Sequence, residues 1–144
     1  MRMLYATLLG TTLLACASIQ PAAVQTGDRC LRCRQTIGDP RLAGEIIDNM
    51  RAPFPFRTAG CLAKYVKANP DASIAAIFVA DHRTGRMLPA SDAWFVPAEL
   101  TAPDGKRTQP DYVAFRSRAD AEAFRTHAEP LLRWTQVLDE TRAN

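Results

Sequence analysis

The chain has 144 residues, of which 18 are Lys or Arg and 15 are Asp or Glu, for a net charge of +3 at neutral pH. Hydrophobic residues make up 47%, so a chain of this length builds one compact domain or two very small ones. The basic residues are scattered rather than clustered, which speaks against a nucleic-acid surface.

The chain opens with Arg2 and a mostly apolar stretch, Met3 to Ala15. That stretch falls short of the roughly 20 apolar residues that span a bilayer. A charged start, an apolar run and small residues make a secretory signal. Its end, Leu13-Leu14-Ala15-Cys16, resembles a bacterial lipobox. There the cysteine thiol takes a diacylglyceride and becomes the new N-terminus, and acyl chains in twos or threes anchor firmly. Residues 1–15 are thus expected to be a signal peptide and Cys16 the lipidation site. Ala17, in place of an aspartate, leans the destination toward the outer membrane. The mature chain would run from Cys16 to Asn144, with a short tether up to Gly27.

Three cysteines then remain: Cys30, Cys33 and Cys61. An oxidising, exported compartment favours paired cysteines, so an odd number means a free thiol or a metal or redox site. Cys30-Leu31-Arg32-Cys33 has the spacing to chelate one metal ion or to close a small disulfide. Thiolates are soft ligands that favour Cu(I) or Zn(II). Arg29, Arg32 and Arg34 favour thiolate over thiol, which helps metal binding and thiol exchange alike. The motif does not follow a strand or start a helix, as a thioredoxin-like pair would.

Two halves of the chain resemble each other at an offset of 59 residues, and they suggest units 28–85 and 86–144. In the first, Gly44–Asn49 and Pro53–Phe56 read as strands. Thr58 then caps a helix whose Leu62, Tyr65 and Val66 form one apolar face. Asn69-Pro70 ends it, and Ser73–Ala80 is the next strand. In the second, Met87–Ala90 and Ala93–Pro97 supply the leading strand. A polar loop between Pro97 and Pro110 carries the turn Pro103-Asp104-Gly105. Tyr112–Phe115 reads as a strand, Ser117 as a helix cap, and Leu132–Leu138 as the closing strand. The sum is an α+β fold of two ββαβ units.

Cys61 falls in the first helical turn, where exposed N–H groups favour an anion, so its thiol is expected to ionise readily and to complete a three-thiolate site. A small buried core residue is the plainer alternative. His82, Met50 and Met87 are weaker ligand candidates, and His127 reads as solvated. No GxSxG, phosphate-binding glycine loop, HExxH or Ser/His/Asp set is present, so no enzyme is expected.

The lipobox, the early CxxC, Phe78–Thr84 (FVADHRT), Asp92–Ala98 (DAWFVPA) and Ala114–Phe124 (AFRSRADAEAF) together resemble the NosL family, the nitrous-oxide reductase accessory proteins. The likeness covers about residues 30–140, and Tyr112–Phe124 is its most specific piece. It implies a periplasm-facing lipoprotein of two similar ββαβ units that binds Cu(I) and supplies it to an exported copper enzyme or transporter. Two motifs depart from it. The family's Cys-x-x-Cys-Gly-Met reads here as Cys33-Arg34-Gln35, and its later Met-Gly falls on Thr108-Gln109. Cys33 carries over as ligand with Cys30 as its partner, while the thioethers do not. Two other readings stay open: a thiol–disulfide protein using Cys30 and Cys33, and a structural lipoprotein with a plain disulfide and no metal.

Overall fold

The structure, a computed structural model, describes residues 18–102, 104–126 and 128–142. The signal segment, Cys16, Pro103 and His127 lie outside the described residues. The chain is a mixed α+β fold. Strands β1 (Gly44–Asp48), β2 (Pro53–Phe56), β3 (Ile74–Ala80) and β4 (Met87–Pro89) form an antiparallel sheet of order β2-β1-β3-β4. Strands β5 (Trp94–Thr101) and β6 (Thr108–Phe115) form a second, two-stranded sheet. Three α-helices complete the described part of the fold: α1 (Ala59–Ala68), α2 (Arg118–Phe124) and α3 (Trp134–Glu140).

Local chemistry sets most of these elements. Thr58 accepts the Cys61 N–H at the start of α1, and the Asn69 N–H closes its end on Tyr65 and Val66 carbonyls. Ser117 does the same for α2 by accepting from the Asp120 N–H. Strand alternation then sorts the β5–β6 ribbon into two faces. Phe95 and Ala114 enter the main core with Phe56, Leu62, Val79 and Leu88. Val96, Val113 and Phe115 turn the other way and pack on Ala121 of α2. Wholly buried Phe56, Phe95 and Leu62 are each worth about 1.5–3 kcal/mol of apolar burial. Helix α1 lies between the four-stranded sheet and the second half of the chain, so its N-terminus is enclosed by both.

Four expectations change. Leu132–Leu138 is not a strand. Leu132 makes a single antiparallel bridge to Phe95, and α3 follows. Trp134, Val137, Leu138 and Thr141 recur at helical spacing, and the Gln136 side chain accepts the Arg133 N–H to start the turn. Met87–Pro89 pairs with β3 and so extends the first sheet rather than leading the second half. The polar loop shrinks to residues 102–107, because β5 and β6 run on as a ribbon closed by Asp104 and left-handed Gly105. Pro97 and Pro110 fit there because both strands are edges and need not donate outward. Finally, part of the expected tether is docked. Ala22 donates to the buried carboxylate of Glu45 at 2.9 Å, and Val24 is buried with Ile37 and Ala43.

Candidate metal centre

The CxxC segment folds as a tight reversal. Arg29 and Thr36 bridge antiparallel, Cys30 donates to the Gln35 carbonyl at 3.0 Å, and the Cys30 carbonyl accepts from Arg34 N–H at 3.0 Å. Arg34 takes a left-handed φ of +61° to turn the chain. That conformation strains any side chain with a Cβ, by about 1–2 kcal/mol. Arg34 bears that cost in this chain. Leu31 N–H donates to the Pro55 carbonyl at 2.8 Å and pins the turn to β2.

Because β2 leads directly into α1, the same pinning carries the turn to the start of that helix. There Cys61 sits at the third helical position. The sulfurs of Cys30, Cys33 and Cys61 all lie within 4.8 Å of one another. Cys30 and Cys61 are buried, Cys33 is half-buried, and all three are free thiols. Three sulfurs held in a plane about 2.3 Å from one ion sit about 4.0 Å apart, so the cluster needs only a slight contraction to fit one.

The protons are unevenly shared. The Cys61 S–H donates to the Cys30 sulfur, which is the largest factor drawing the Cys30 thiol down to about 5. Burial opposes this, while the backbone N–H groups of Cys33 and Arg57 and the Cys33 side chain reinforce it. Cys61 moves the opposite way. Its hydrogen bond to Cys30 holds the proton, and burial and the neighbouring sulfur charges push its thiol up. The helix N-terminus was expected to make Cys61 the readier thiolate. Instead it is the proton carrier of the pair, because two adjacent buried sulfurs cannot both be charged and Cys30 receives the better donors.

The helix start is itself held from the other half of the chain. Asp111 of β6, 5% exposed, accepts from the Thr58 hydroxyl at 2.6 Å, the Gly60 N–H at 2.8 Å and the Tyr112 N–H at 2.8 Å. A Cβ on Gly60 would sit 2.5 Å from Asp111 Oδ1, so only glycine admits this approach. Sequence reading passed over Asp111. Its one signal is a carboxylate directly before the apolar run Tyr112–Phe115.

The weaker candidates stay apart from the sulfurs. Met50 is 89% exposed in the turn before β2, a strand's length from the helix start. Met87 packs with Val24, Ile37 and Ala43. His82 lies edge-on to Phe115 and Phe124, with centroids 5.8 and 5.4 Å away, and does not join the sulfur cluster.

No family profile matches the chain, and no curated protein does. Among solved structures, the chain is similar to the copper chaperone NosL from Shewanella denitrificans. The TM-score is 0.65 at 21% identity, over 89% of this chain and 100% of that one. The chain therefore has the NosL fold.

Proposed function

We propose that this chain is a non-enzymatic accessory protein that holds copper(I) as cargo on Cys30, Cys33 and Cys61. In this reading it passes the ion to an exported copper enzyme or transporter. The carrying observation is the convergence of three sulfurs within 4.8 Å from two separate chain segments. Thiolates suit Cu(I), which accepts three ligands in a plane, whereas structural Zn(II) wants four. Among the described residues no His, Cys, Asp or Glu joins the three as a fourth. Half-buried Cys33 is the point where an incoming ligand reaches the ion, so release proceeds by ligand exchange from that side. A neighbour of the same fold is a copper chaperone, which supports the reading. The cargo here would rest on thiolates alone, since Arg34-Gln35 and Thr108-Gln109 replace the family's methionine motifs.

The same proposal places the protein on the periplasmic side of a membrane, at the outer membrane, anchored by a lipidated Cys16. No described helix is long and apolar enough to cross a bilayer. Incorporation of a labelled fatty acid, lost in Cys16→Ser, tests the anchor.

Copper is tested by titrating the reduced protein with Cu(I) against a competing chelator. One-to-one binding is expected, weakened in Cys33→Ser and in Cys61→Ser by more than the 10–100-fold typical of losing an outer partner. Binding no tighter than that of an unrelated dithiol refutes it. The lowered Cys30 thiol favours one rival, thiol–disulfide exchange. An exchanging thiolate must reach its substrate, however, and Cys30 is fully buried. Reductase activity toward a disulfide substrate, with no copper binding, would establish that rival.

A further inference from the structure

Arg57 directly follows β2, and its Nη1 donates to the Thr101 carbonyl at 3.2 Å. Its Nε and Nη2 are shielded from solvent and have no hydrogen-bond partner among the described residues. These two nitrogens form one edge of the guanidinium, along which an Nε–H and an Nη2–H run parallel. That edge clasps both oxygens of a carboxylate or similar oxyanion. The chain uses it so elsewhere: Arg41 sets Nε 3.0 Å and Nη2 2.9 Å from the two oxygens of Asp39. Buried polar groups are nearly always partnered, and a buried charged fork with two idle donors is a marked exception.

Arg57 lines a cavity of about 520 Å³, together with Gln35, Thr36, Asp39, Glu99 and Thr101. The two acids in its wall do not supply the missing partner. Both Asp39 oxygens are engaged by Arg41, and Glu99 is exposed on β5. We propose that Arg57 anchors a binding site for a small oxyanion that presents two oxygens on one atom, such as a carboxylate or sulfate. The backbone N–H of the same residue donates to the Cys30 sulfur, so Arg57 touches the thiol cluster through its main chain and the cavity through its side chain.

The Nε–H signals of ¹⁵N-labelled, metal-free, reduced full chain test this, independently of whether copper binds. Sodium acetate and sodium sulfate are titrated in, with sodium chloride at equal ionic strength as control. The Arg57 Nε–H signal is expected to shift downfield and saturate with an oxyanion, and not with chloride. Its identity is given by its disappearance in Arg57→Lys, or by through-bond assignment in the wild-type chain should that variant not fold. A shift linear in concentration, or equal to that with chloride, overturns the proposal. So does a signal already hydrogen-bonded in oxyanion-free buffer that moves in Glu99→Gln, which assigns the fork to an internal carboxylate.

Discussion

The starts of α1 and α2 solve one backbone problem and put different chemistry on the solution. Each has a hydroxyl cap that takes the third helical N–H: Thr58 to Cys61 at 3.1 Å and Ser117 to Asp120 at 3.0 Å. Each is also steadied by a buried carboxylate from the opposite half. Asp111 reaches the first, and Asp81 accepts from Arg116 N–H at 3.2 Å before the second. At the third position the two diverge. Asp120 is a partly exposed acid that accepts the Ser117 hydroxyl and pairs with Arg83 at 3.1 Å. Cys61 is buried and faces two more sulfurs. The same kind of helix start thus carries an ordinary electrostatic cap at α2 and a thiol cluster at α1. The cluster exists because the CxxC turn docks on β2, next to the start of α1.

The difference can be pressed experimentally, and the widest gap should be in metal binding. Cys61→Ser should remove most Cu(I) affinity, whereas Asp120→Ser should leave it unchanged in the same chelator competition. A smaller but large effect separates the two carboxylates. Asp111→Ala strands three donors, two of them at the α1 start, and should cost about 3 kcal/mol or more in denaturant unfolding. Asp81→Ala frees the Thr84 hydroxyl and the Arg116 and Arg83 N–H groups, but these belong to exposed residues that can turn to water, so it should cost about 2 kcal/mol. Equal losses would mean that the first helix start is no more tightly held than the second.

Relief of strain at the CxxC turn should be worth about 1 kcal/mol. Arg34→Gly removes the Cβ penalty at φ +61°, so it should raise the unfolding midpoint despite glycine's entropy. The thiol cluster should also leave a pH signature that the second half lacks. The Cys30 thiol is lowered in the fold from 9.0 to about 5, so the unfolded chain binds more protons between those values. The stability Cys30 contributes is then present above about pH 9 and lost as pH falls through about 5. The stability gap between wild type and Cys30→Ser should widen from pH 5 to 9 in metal-free, reduced protein, and a constant gap would contradict the thiolate. Smallest of all, Met50→Ala should change stability by less than about 0.5 kcal/mol and leave copper affinity intact, given its exposure.

Much of this was legible in the sequence because it is decided within a few residues. Hydroxyl caps, the Asn69 stop, the strands before each helix and the CxxC spacing are local matters, and they fall where propensity and hydrogen bonding put them. The α+β character followed from the same signals. Where reasoning by analogy between the halves replaced local reading, it misled: α3 stands where a strand was expected, since its apolar residues recur at helical spacing.

What the tertiary structure alone decided is whatever needs two distant segments to meet. Cys61 joins Cys30 and Cys33 only because Leu31 pins the turn to β2. The meeting then reverses the expected proton order, since neighbouring charges and burial outweigh the helix end. Asp111 lies more than fifty positions from the helix start it steadies, and Arg57 has a counterpart, Arg116, that is exposed in the second half. Sequence patterns report a residue's own backbone and near neighbours. A thiol's charge, a carboxylate's partners and a guanidinium's burial depend on what the fold brings against them from elsewhere.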